Sequence, residues 1–261
     1  MKNAASSSKT IVLVHGLFVN PASWTPWKTW FESKGYTVYT PANPGHEGTP
    51  SDLRTNPAPG LGKINFEQVV RHLASFIDTL PEKPILIGHS LGGLLVQKLL
   101  SMDKGVAGVL VDGAAPLGII TGKWSFWKAS FPVINYFKGD SLFIASKAWF
   151  HYAFGNTVSR EESDKIYDRI VVPESRNIAR STLKSFAKID FTKPHVPLLF
   201  IAGEKDNIIP ADLNTRNYKA YKDPNSVRNF RLFEGRSHNI IGEKGWEEVA
   251  GFAFDWIQQQ V

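Results

Sequence analysis

The stretch that decides the fold is Pro84-Ile-Leu-Ile-Gly-His-Ser-Leu-Gly-Gly-Leu-Leu-Val-Gln-Lys98. Its residues 85–87 have the length and branching of a buried parallel strand, and the apolar residues after the glycines suit a largely buried helix. A strand-to-helix reversal this short forces Ser90, at its apex, into a strained backbone conformation, which only neighbours without side chains accommodate. Gly88 and Gly92 supply that clearance. The pattern predicts a serine hydroxyl raised above the sheet at a helix N-terminus.

A serine in this pattern has two interpretations. The motif G-x-S-x-G often occurs by chance, and a serine before a helix is commonly just its N-cap. The apolar strand before Ser90 and the apolar helix after it favour a nucleophile. A serine nucleophile needs a base to accept its proton and a third group to orient that base, so both must be found elsewhere in the chain.

The bulk composition indicates a globular chain with one core. A length of 261 residues, of which 43% are hydrophobic and 21% charged, suits a single α/β domain with an insertion. No apolar run approaches the roughly 20 residues needed to cross a bilayer, so we expect no stable membrane insertion. The segment Met1–Lys9 has no apolar stretch typical of a secretory signal, and we expect a cytoplasmic protein.

Charge and cysteine content exclude several kinds of site. The formal charge of +6 comes from dispersed basic residues, so we expect it to serve solubility and predict no nucleic-acid partner. Cysteine is absent, which excludes disulfides, thiolate nucleophiles and cysteine metal sites. There is no metal-ligand spacing, phosphate-cradling loop or dinucleotide fingerprint, so we predict neither a metal nor a cofactor.

Six short runs predict strands, and most are separated by helical or inserted segments. The runs are Thr10–Val14, Tyr36–Thr40, the strand that precedes Ser90, Val106–Val111, Pro197–Ala202 and Val227–Phe233. Helices are predicted from an N-cap at Ser23 to Gly35, from Asn65 to Leu80 and from Glu243 to Gln259, with an exposed loop over 41–62. This alternation predicts a doubly wound α/β fold, with a mostly parallel sheet of about six strands and helices on both faces.

The interval from Pro116 to Pro194 is too long for a simple crossover. We interpret it as an inserted helical cap, residues 116–194, on a core formed by residues 1–115 and 195–261. Its first half is crowded with aromatic residues, and its second half, Ser159–Lys188, predicts two more polar helices. The aromatic rings either face a substrate or form the cap's own core, and the sequence favours neither.

Two candidates for the base and the orienting acid follow late strands, where ligands bind in a sheet wound in this way. His238 follows the last strand and can reach back to Ser90, although a surface loop histidine is the alternative. Asp206, just beyond the fifth strand, is the best candidate to hold the His238 ring. Glu204 is expected to point to solvent. Asp112, at the end of the fourth strand, competes with Asp206, and its alternative role is to hold the loop into the cap.

Backbone N–H groups beside the serine could bind the oxyanion of acyl transfer. Leu91, directly after Ser90, and Leu17, after His15-Gly16, are the two predicted donors. We expect His15 to shape the oxyanion loop through hydrogen bonds and His89 to pack under the turn that carries Ser90. The residues expected to contact the substrate are Phe18, His89, Trp124, Trp149 and Phe150.

The chain resembles the α/β-hydrolase family over its core from Ile11 to Trp256. The motifs that carry the resemblance are His15-Gly16, Pro44-Gly-His-Glu-Gly48, Gly88-His-Ser-Leu-Gly92, Gly203-Glu-Lys-Asp206 and Ser237-His238. The resemblance implies a Ser-Asp-His triad and a cap, as in its serine esterase and haloperoxidase-like members. Dehalogenases and epoxide hydrolases of this superfamily use an aspartate nucleophile, so Ser90 disfavours those two chemistries.

The expected function is a serine hydrolase that cleaves a carboxylic ester of an apolar or aromatic small molecule through an acyl-Ser90 intermediate. Hydrolysis of a lactone, an amide or a carbon–carbon bond, and perhydrolysis, would use the same triad and stay open. A ligand receptor on a hydrolase fold is the alternative of another class, because a fold does not fix a function. The sequence also leaves open the oligomeric state and whether the cap opens at a lipid surface.

Overall fold

A computed structural model describes residues 8–261, so most of the segment in which no secretory signal was found lies outside the described residues. The strands are β1 (Thr10–Val14), β2 (Thr37–Tyr39), β3 (Ile85–His89), β4 (Ala107–Val111), β5 (Leu142–Phe143), β6 (Glu174–Ser175), β7 (Leu198–Gly203) and β8 (Arg228–Phe233). The α-helices are α1 (Thr25–Ser33), α2 (Pro50–Thr55), α3 (Phe66–Ile77), α4 (Leu91–Ser101), α5 (Trp124–Ile134), α6 (Lys147–Ala153), α7 (Arg160–Ile170), α8 (Arg176–Ser181), α9 (Ala211–Ala220) and α10 (Trp246–Gln260). Short 3₁₀ turns cover Pro21–Trp24, Leu61–Lys63, Tyr136–Lys138 and Ser185–Ala187.

Six strands form one parallel sheet in the order β2-β1-β3-β4-β7-β8. Strands β1, β3, β4 and β7 are buried along their whole length, as expected for uninterrupted apolar runs that are covered on both faces. Helices pack on each face of the sheet. The predicted fold class, a mostly parallel sheet of six strands surrounded by helices, is confirmed.

Two apolar layers hold these helices against the sheet. On one face, Trp27 and Phe31 of α1 pack with Trp256 of α10, and on the other Leu73 of α3 packs with Leu95 of α4. Trp27, Phe31, Leu73 and Leu95 are fully buried, and each large side chain of this kind stabilises the fold by about 1.5–3 kcal/mol. The layers therefore fix the strand ends from both sides.

The direction of winding reverses beside β1. The chain places β2 on one side of β1 and then crosses back to place β3 on the other. The register pairs Val14 with Gly88, so the segments that follow β1 and β3 leave the sheet side by side. Those segments carry His15-Gly16 and Ser90. Such a crevice beyond the carboxyl ends of the strands is where ligands bind in open α/β sheets.

Residues 116–194, the predicted cap and called the cap segment below, contain helices α5 to α8. The two polar helices expected over Ser159–Lys188 are α7 and α8. A two-stranded antiparallel sheet, in which Phe143 pairs with Glu174, was not predicted, because strands of two residues leave no periodic signal. Aromatic side chains of the segment, including Phe150 and Phe154, are buried together with Phe18 from the core.

Two local predictions are wrong. Ser23 does not cap the first helix, because Asn20 caps a preceding 3₁₀ turn by accepting the Ala22 N–H at 3.1 Å. The loop over 41–62 is not exposed throughout: Asn43 is 1% exposed and His46 is fully buried. The polar composition of the loop suggested solvent, but His46 contacts Glu174 of the cap segment and Asn43 bonds to His15. Among the described residues, no helix is both long enough and apolar enough to cross a bilayer.

Candidate active site

The backbone at Ser90 is strained, with φ 57° and ψ −124° at a residue that is not glycine. The strain is held by three backbone hydrogen bonds: Ser90 N–H donates to Val111 at 3.0 Å, and its carbonyl accepts from Gly93 at 2.9 Å and Ala114 at 2.8 Å. Its side chain makes no capping hydrogen bond to α4, although Ser90 occupies the N-cap position. The capping interpretation therefore fails, and the hydroxyl is left for another role.

Close backbone approaches explain the glycines around Ser90. A Cβ on Gly92 would lie 2.1 Å from the Val14 carbonyl oxygen, and one on Gly16 would lie 2.7 Å from the Ser90 Cβ. Real side chains do not tolerate these distances, so both positions require glycine. The loops after β1 and β3 are thereby packed against each other at the carboxyl edge of the sheet, where the parallel strands end.

His238 and Asp206 are joined at the same edge. Nδ1 of His238 lies 2.5 Å from Oδ2 of Asp206, and both side chains are fully buried. The other carboxylate oxygen of Asp206 accepts the N–H groups of Ile208 and Ile209, at 2.8 and 2.7 Å. Among the described residues, Nε2 of His238 has no hydrogen-bond partner. With its proton on Nδ1, the ring presents Nε2 as a proton acceptor.

Asp112 does not contact His238 in this way. Its Oδ1 accepts the N–H of Gly203 at 2.7 Å, which ties the end of β4 to the end of β7. Burial, together with the nearby charge of Asp206, raises the pKa of the Asp112 carboxyl well above its usual range. Glu204 is partly exposed and accepts the N–H of Gly235 at 2.9 Å. The carboxylate placed against the imidazole is therefore that of Asp206.

Two other histidines lie close by and are held neutral. Nε2 of His89 lies 2.8 Å from the His238 carbonyl oxygen, and burial, aided by His238, holds the pKa of His89 well below its usual range. His15 accepts the Asn43 N–H on Nε2 at 3.0 Å. Burial and the neighbouring His46 lower the pKa of His15 to about 3. Both rings support the loops of the site by hydrogen bonds.

One group of side chains is close enough to hold a metal ion. Ligand atoms of His89, Asp112 and His238 lie within 4.8 Å of one another. Metal ligation needs a deprotonated carboxylate, which the raised pKa of Asp112 disfavours, and one ring nitrogen of each histidine is already engaged. His89 and Asp112, called the polar floor below, are therefore better described as buried structural groups that bond to the His238 carbonyl oxygen and to the Gly203 N–H.

A cavity of about 250 Å³ opens beside Ser90. Leu17 and Leu91, the predicted oxyanion donors, both line it. Most of the remaining wall is apolar and comes from the segment after β4, from α5 and α8, and from residues 208–213, including Leu117, Ile119, Phe126, Val133, Ala179 and Ile209. Within residues 8–261, no charged side chain lines the cavity, so it suits an uncharged apolar group.

Of the five side chains expected to contact a substrate, Phe18 lines this cavity and the other four do not. Trp124 is 69% exposed on α5, and Phe150 is fully buried in an apolar cluster that the cap segment shares with Phe18. Trp149 packs against Phe18 and donates its ring N–H to Ala129 at 3.1 Å. His89 lies on the polar floor. Aromatic composition alone did not distinguish these locations.

Sequence reasoning missed two groups of residues at the site. Residues 114–120 form much of the cavity wall, and their position directly after β4 at the carboxyl edge could have indicated this. Glu174, in the cap segment, contacts the loop after β1 through Phe18 and also contacts His46. No local sequence pattern marks Glu174, because both contacts join residues more than 100 positions apart in the chain.

Comparisons with known proteins are consistent with this geometry. A family model described as "Alpha/beta hydrolase family" matches residues 11–252. A sequence comparison with curated proteins returned no significant match. Similar solved structures include a monoacylglycerol lipase of Paleococcus ferrophilus, at 22% identity and a TM-score of 0.72, covering 97% of this chain and 95% of that one.

Two plant proteins have similar folds. Methylketone Synthase I of tomato, solved with 2-tridecanone, is 19% identical with a TM-score of 0.71, covering 98% of this chain and 100% of that one. The methylesterase MES16 of Arabidopsis is 16% identical with a TM-score of 0.69, covering 95% and 98%. At these identities the likeness concerns the fold alone.

Proposed function

Because this chain belongs to the α/β-hydrolase family, we propose that it is a serine hydrolase that cleaves a carboxylic ester of an apolar or aromatic small molecule. The proposed reaction proceeds through an acyl-Ser90 intermediate. The observation that carries the proposal is the buried pair of His238 and Asp206, which leaves Nε2 of the imidazole free at the sheet edge that presents Ser90.

In the proposed mechanism, Nε2 of His238 accepts the Ser90 hydroxyl proton as Oγ attacks the ester carbonyl carbon. Asp206 holds the ring in the required tautomer and stabilises the imidazolium that forms. The N–H groups of Leu17 and Leu91 bind the oxyanion. The imidazolium then gives its proton to the departing alcohol, and a water molecule deprotonated by His238 releases the acid from Ser90.

The cavity supports the substrate class. Its wall is mostly apolar and includes the aromatic residues Phe18, Phe126 and Trp127, so an acyl chain or a flat apolar group would gain free energy by leaving water for the cavity. Two of the similar structures are named a monoacylglycerol lipase and a methylesterase, and a third was solved with the apolar ketone 2-tridecanone. These names favour ester chemistry on apolar substrates in this fold.

Replacement of Ser90 by Ala tests the nucleophile. We expect hydrolysis of p-nitrophenyl butyrate to fall by at least about 10⁴-fold, because removal of a triad serine leaves only binding and oxyanion stabilisation. The circular dichroism spectrum and the thermal midpoint should stay close to those of the wild type. Hydrolysis at the wild-type rate by the folded variant would refute the assignment of Ser90.

Hydrolysis of lactones, amides or carbon–carbon bonds, and perhydrolysis, would use the same residues, and no contact in the structure favours one of them. A screen of these substrate classes against the wild type decides among them. A receptor that binds without turnover would not release p-nitrophenol in repeated cycles. We also propose a cytoplasmic location, which cell fractionation tests.

A further inference from the structure

Phe18, the residue after the proposed oxyanion donor Leu17, has an unusual backbone. Its φ of 67° lies in the left-handed region, which a bulky side chain rarely adopts. A residue keeps such a conformation only where its surroundings hold it from several sides. The loop after β1 therefore needs an external support at Phe18.

That support comes from the cap segment. The Phe18 N–H donates to Oε2 of Glu174 at 3.2 Å, and the Phe18 carbonyl accepts the N–H of Val172 at 2.8 Å. An isolated antiparallel bridge joins Val19 to Val171. Both backbone groups of the strained residue are thus bound by one short stretch of the cap, residues 171–174.

Glu174 is itself held in a fixed position. Its side chain is 1% exposed, and Oε1 accepts the N–H of Ser175 at 2.7 Å. Oε2 also lies 3.2 Å from Nε2 of the fully buried His46. Burial opposes a charged imidazole there, but the Glu174 carboxylate outweighs it and raises the pKa of His46. When His46 is protonated, its charge compensates the buried carboxylate of Glu174, which would otherwise be costly.

His46 extends the contact to the start of the same loop. Its ring lies 5.4 Å from that of His15, centroid to centroid, and His15 in turn accepts the Asn43 N–H. Glu174 is therefore connected to the loop of residues 15–18 at both ends: directly at Phe18, and through His46 beside His15.

We propose that Glu174 is a positioning residue of the oxyanion-binding loop, whose carboxylate keeps Phe18 in its left-handed conformation and so directs the Leu17 N–H toward the carbonyl attacked by Ser90. This inference rests on the proposed function. The cap segment then completes the oxyanion site besides covering the cavity. Displacement of residues 171–174 would remove both supports of Phe18 at once, so docking of the cap and stabilisation of the transition state are coupled.

The test compares Glu174→Gln with Ser175→Ala. A glutamine has one oxygen for the two N–H groups and turns an amide donor toward one of them. Ser175 belongs to the same strand and bonds to the core through the carbonyls of Gly62 and Ile64, at 3.1 and 2.7 Å, without a bond to residues 15–18. We expect Glu174→Gln to lower kcat on p-nitrophenyl butyrate by about 10–100-fold, a part of the loss that follows removal of a whole oxyanion donor. KM should change less than about twofold, and Ser175→Ala should keep kcat within about threefold.

A pair of inhibitors separates oxyanion binding from general damage. An alkyl trifluoromethyl ketone forms a tetrahedral oxyanion on a serine, whereas the corresponding alcohol fills the same cavity without one. In Glu174→Gln the ketone should bind more weakly by about the same factor as kcat/KM falls, and the alcohol should bind as in the wild type. An equal loss for both inhibitors, an equal loss of kcat in Ser175→Ala, or an unchanged kcat would overturn the proposal.

Loss of the carboxylate could prevent folding, because it leaves His46 unpaired. The double variant Glu174→Gln/His46→Gln replaces the buried ion pair by two amides that can bond to each other, and it should show the same loss of kcat and of ketone affinity. Wild-type kcat in this folded variant would also refute the role of Glu174. Failure of the proposed function is distinguishable, since the wild type itself would then neither hydrolyse the ester nor bind the ketone covalently.

Discussion

The carboxyl edge of the sheet and the cap segment contribute to the site in different ways. At the carboxyl edge of the sheet, Ser90 directly follows the buried strand β3, and Asp206 lies shortly after the buried strand β7. His238 lies a few residues after β8. In the cap segment, Glu174 reaches Phe18 across 156 positions of the chain. In the proposed mechanism, the carboxyl edge of the sheet supplies the reactive groups from local sequence, whereas we propose that the cap segment supplies alignment and selectivity through distant contacts. Substitutions at the edge should therefore affect every substrate, and substitutions in the cavity wall only some.

The largest expected effect separates the two carboxyl groups at the edge. We expect Asp206→Asn to lower kcat by about 10⁴-fold, because an amide in place of the carboxylate favours the wrong tautomer of His238. Asp112→Asn should cost less than about tenfold, since Asp112 contacts Gly203 rather than the imidazole. The measurement is kcat on p-nitrophenyl butyrate, and a larger loss in Asp112→Asn would transfer the role to Asp112.

A smaller effect is expected where the loops after β1 and β3 touch. In Gly16→Ala the new methyl group would lie 2.7 Å from the Ser90 Cβ and 2.9 Å from the His89 carbonyl oxygen. The two loops must separate, and a displacement of about 1 Å at reacting groups costs on the order of 100-fold in kcat/KM. Gly122→Ala, where an added Cβ meets nothing within 4 Å, is the control. Equal activities in the two variants would show that this close approach does not matter.

A substitution in the cavity wall should change substrate selectivity and leave the chemistry intact. Ala179, on α8, lines the cavity, and Ala179→Leu would fill part of it. Hydrolysis of p-nitrophenyl decanoate should fall by about tenfold or more, while that of the acetate stays within about twofold, since each lost methylene contact is worth about 1–3 kcal/mol. Ala148→Leu adds the same side chain at an exposed position of α6. An equal loss of hydrolysis for both esters would show that the acyl chain does not lie in this cavity.

The last prediction concerns stability in acid and leaves the chemistry aside. Burial lowers the pKa of His15 to about 3. As the pH falls below about 6.5, the His15 ring therefore takes up a proton in the unfolded chain but stays neutral in the folded protein. The stabilisation is complete above pH 6.5 and is lost as the pH falls toward 3, with a slope of about 1.4 kcal/mol per pH unit from this residue. In His15→Gln, the free energy of unfolding, measured with urea between pH 6 and 4, should depend less steeply on pH than in the wild type. The difference in slope should be about 1.4 kcal/mol per pH unit. An unchanged slope would mean that His15 does not titrate in this way.

Much of the fold was predictable because its signals are local. The strands of the main sheet lie within a residue or two of the predicted runs. Four of them are apolar runs of strand length between turns, the pattern expected of strands that are covered on both faces of a parallel sheet. The contact between Asp206 and His238 could be predicted because they follow neighbouring parallel strands, which end at the same edge of the sheet. Residue order and strand direction sufficed for these inferences.

The rest depends on packing between distant segments. His46 is buried where it contacts Glu174 of the cap segment, and a polar loop carries no sign of what covers it. The same holds for the aromatic residues: Trp124 and Phe150 look alike in sequence, yet one is largely exposed and the other fully buried. Selectivity therefore could not be predicted to the level of single residues.

The central claim is that Ser90 carries the acyl group. The direct measurement is tandem mass spectrometry of the wild-type protein after reaction with an alkyl fluorophosphonate, which phosphonylates a serine activated by a neighbouring histidine. We expect one adduct per chain, on the peptide that contains Ser90, with a proportional loss of esterase activity. An adduct on another residue, or lost activity without modification of Ser90, would contradict it.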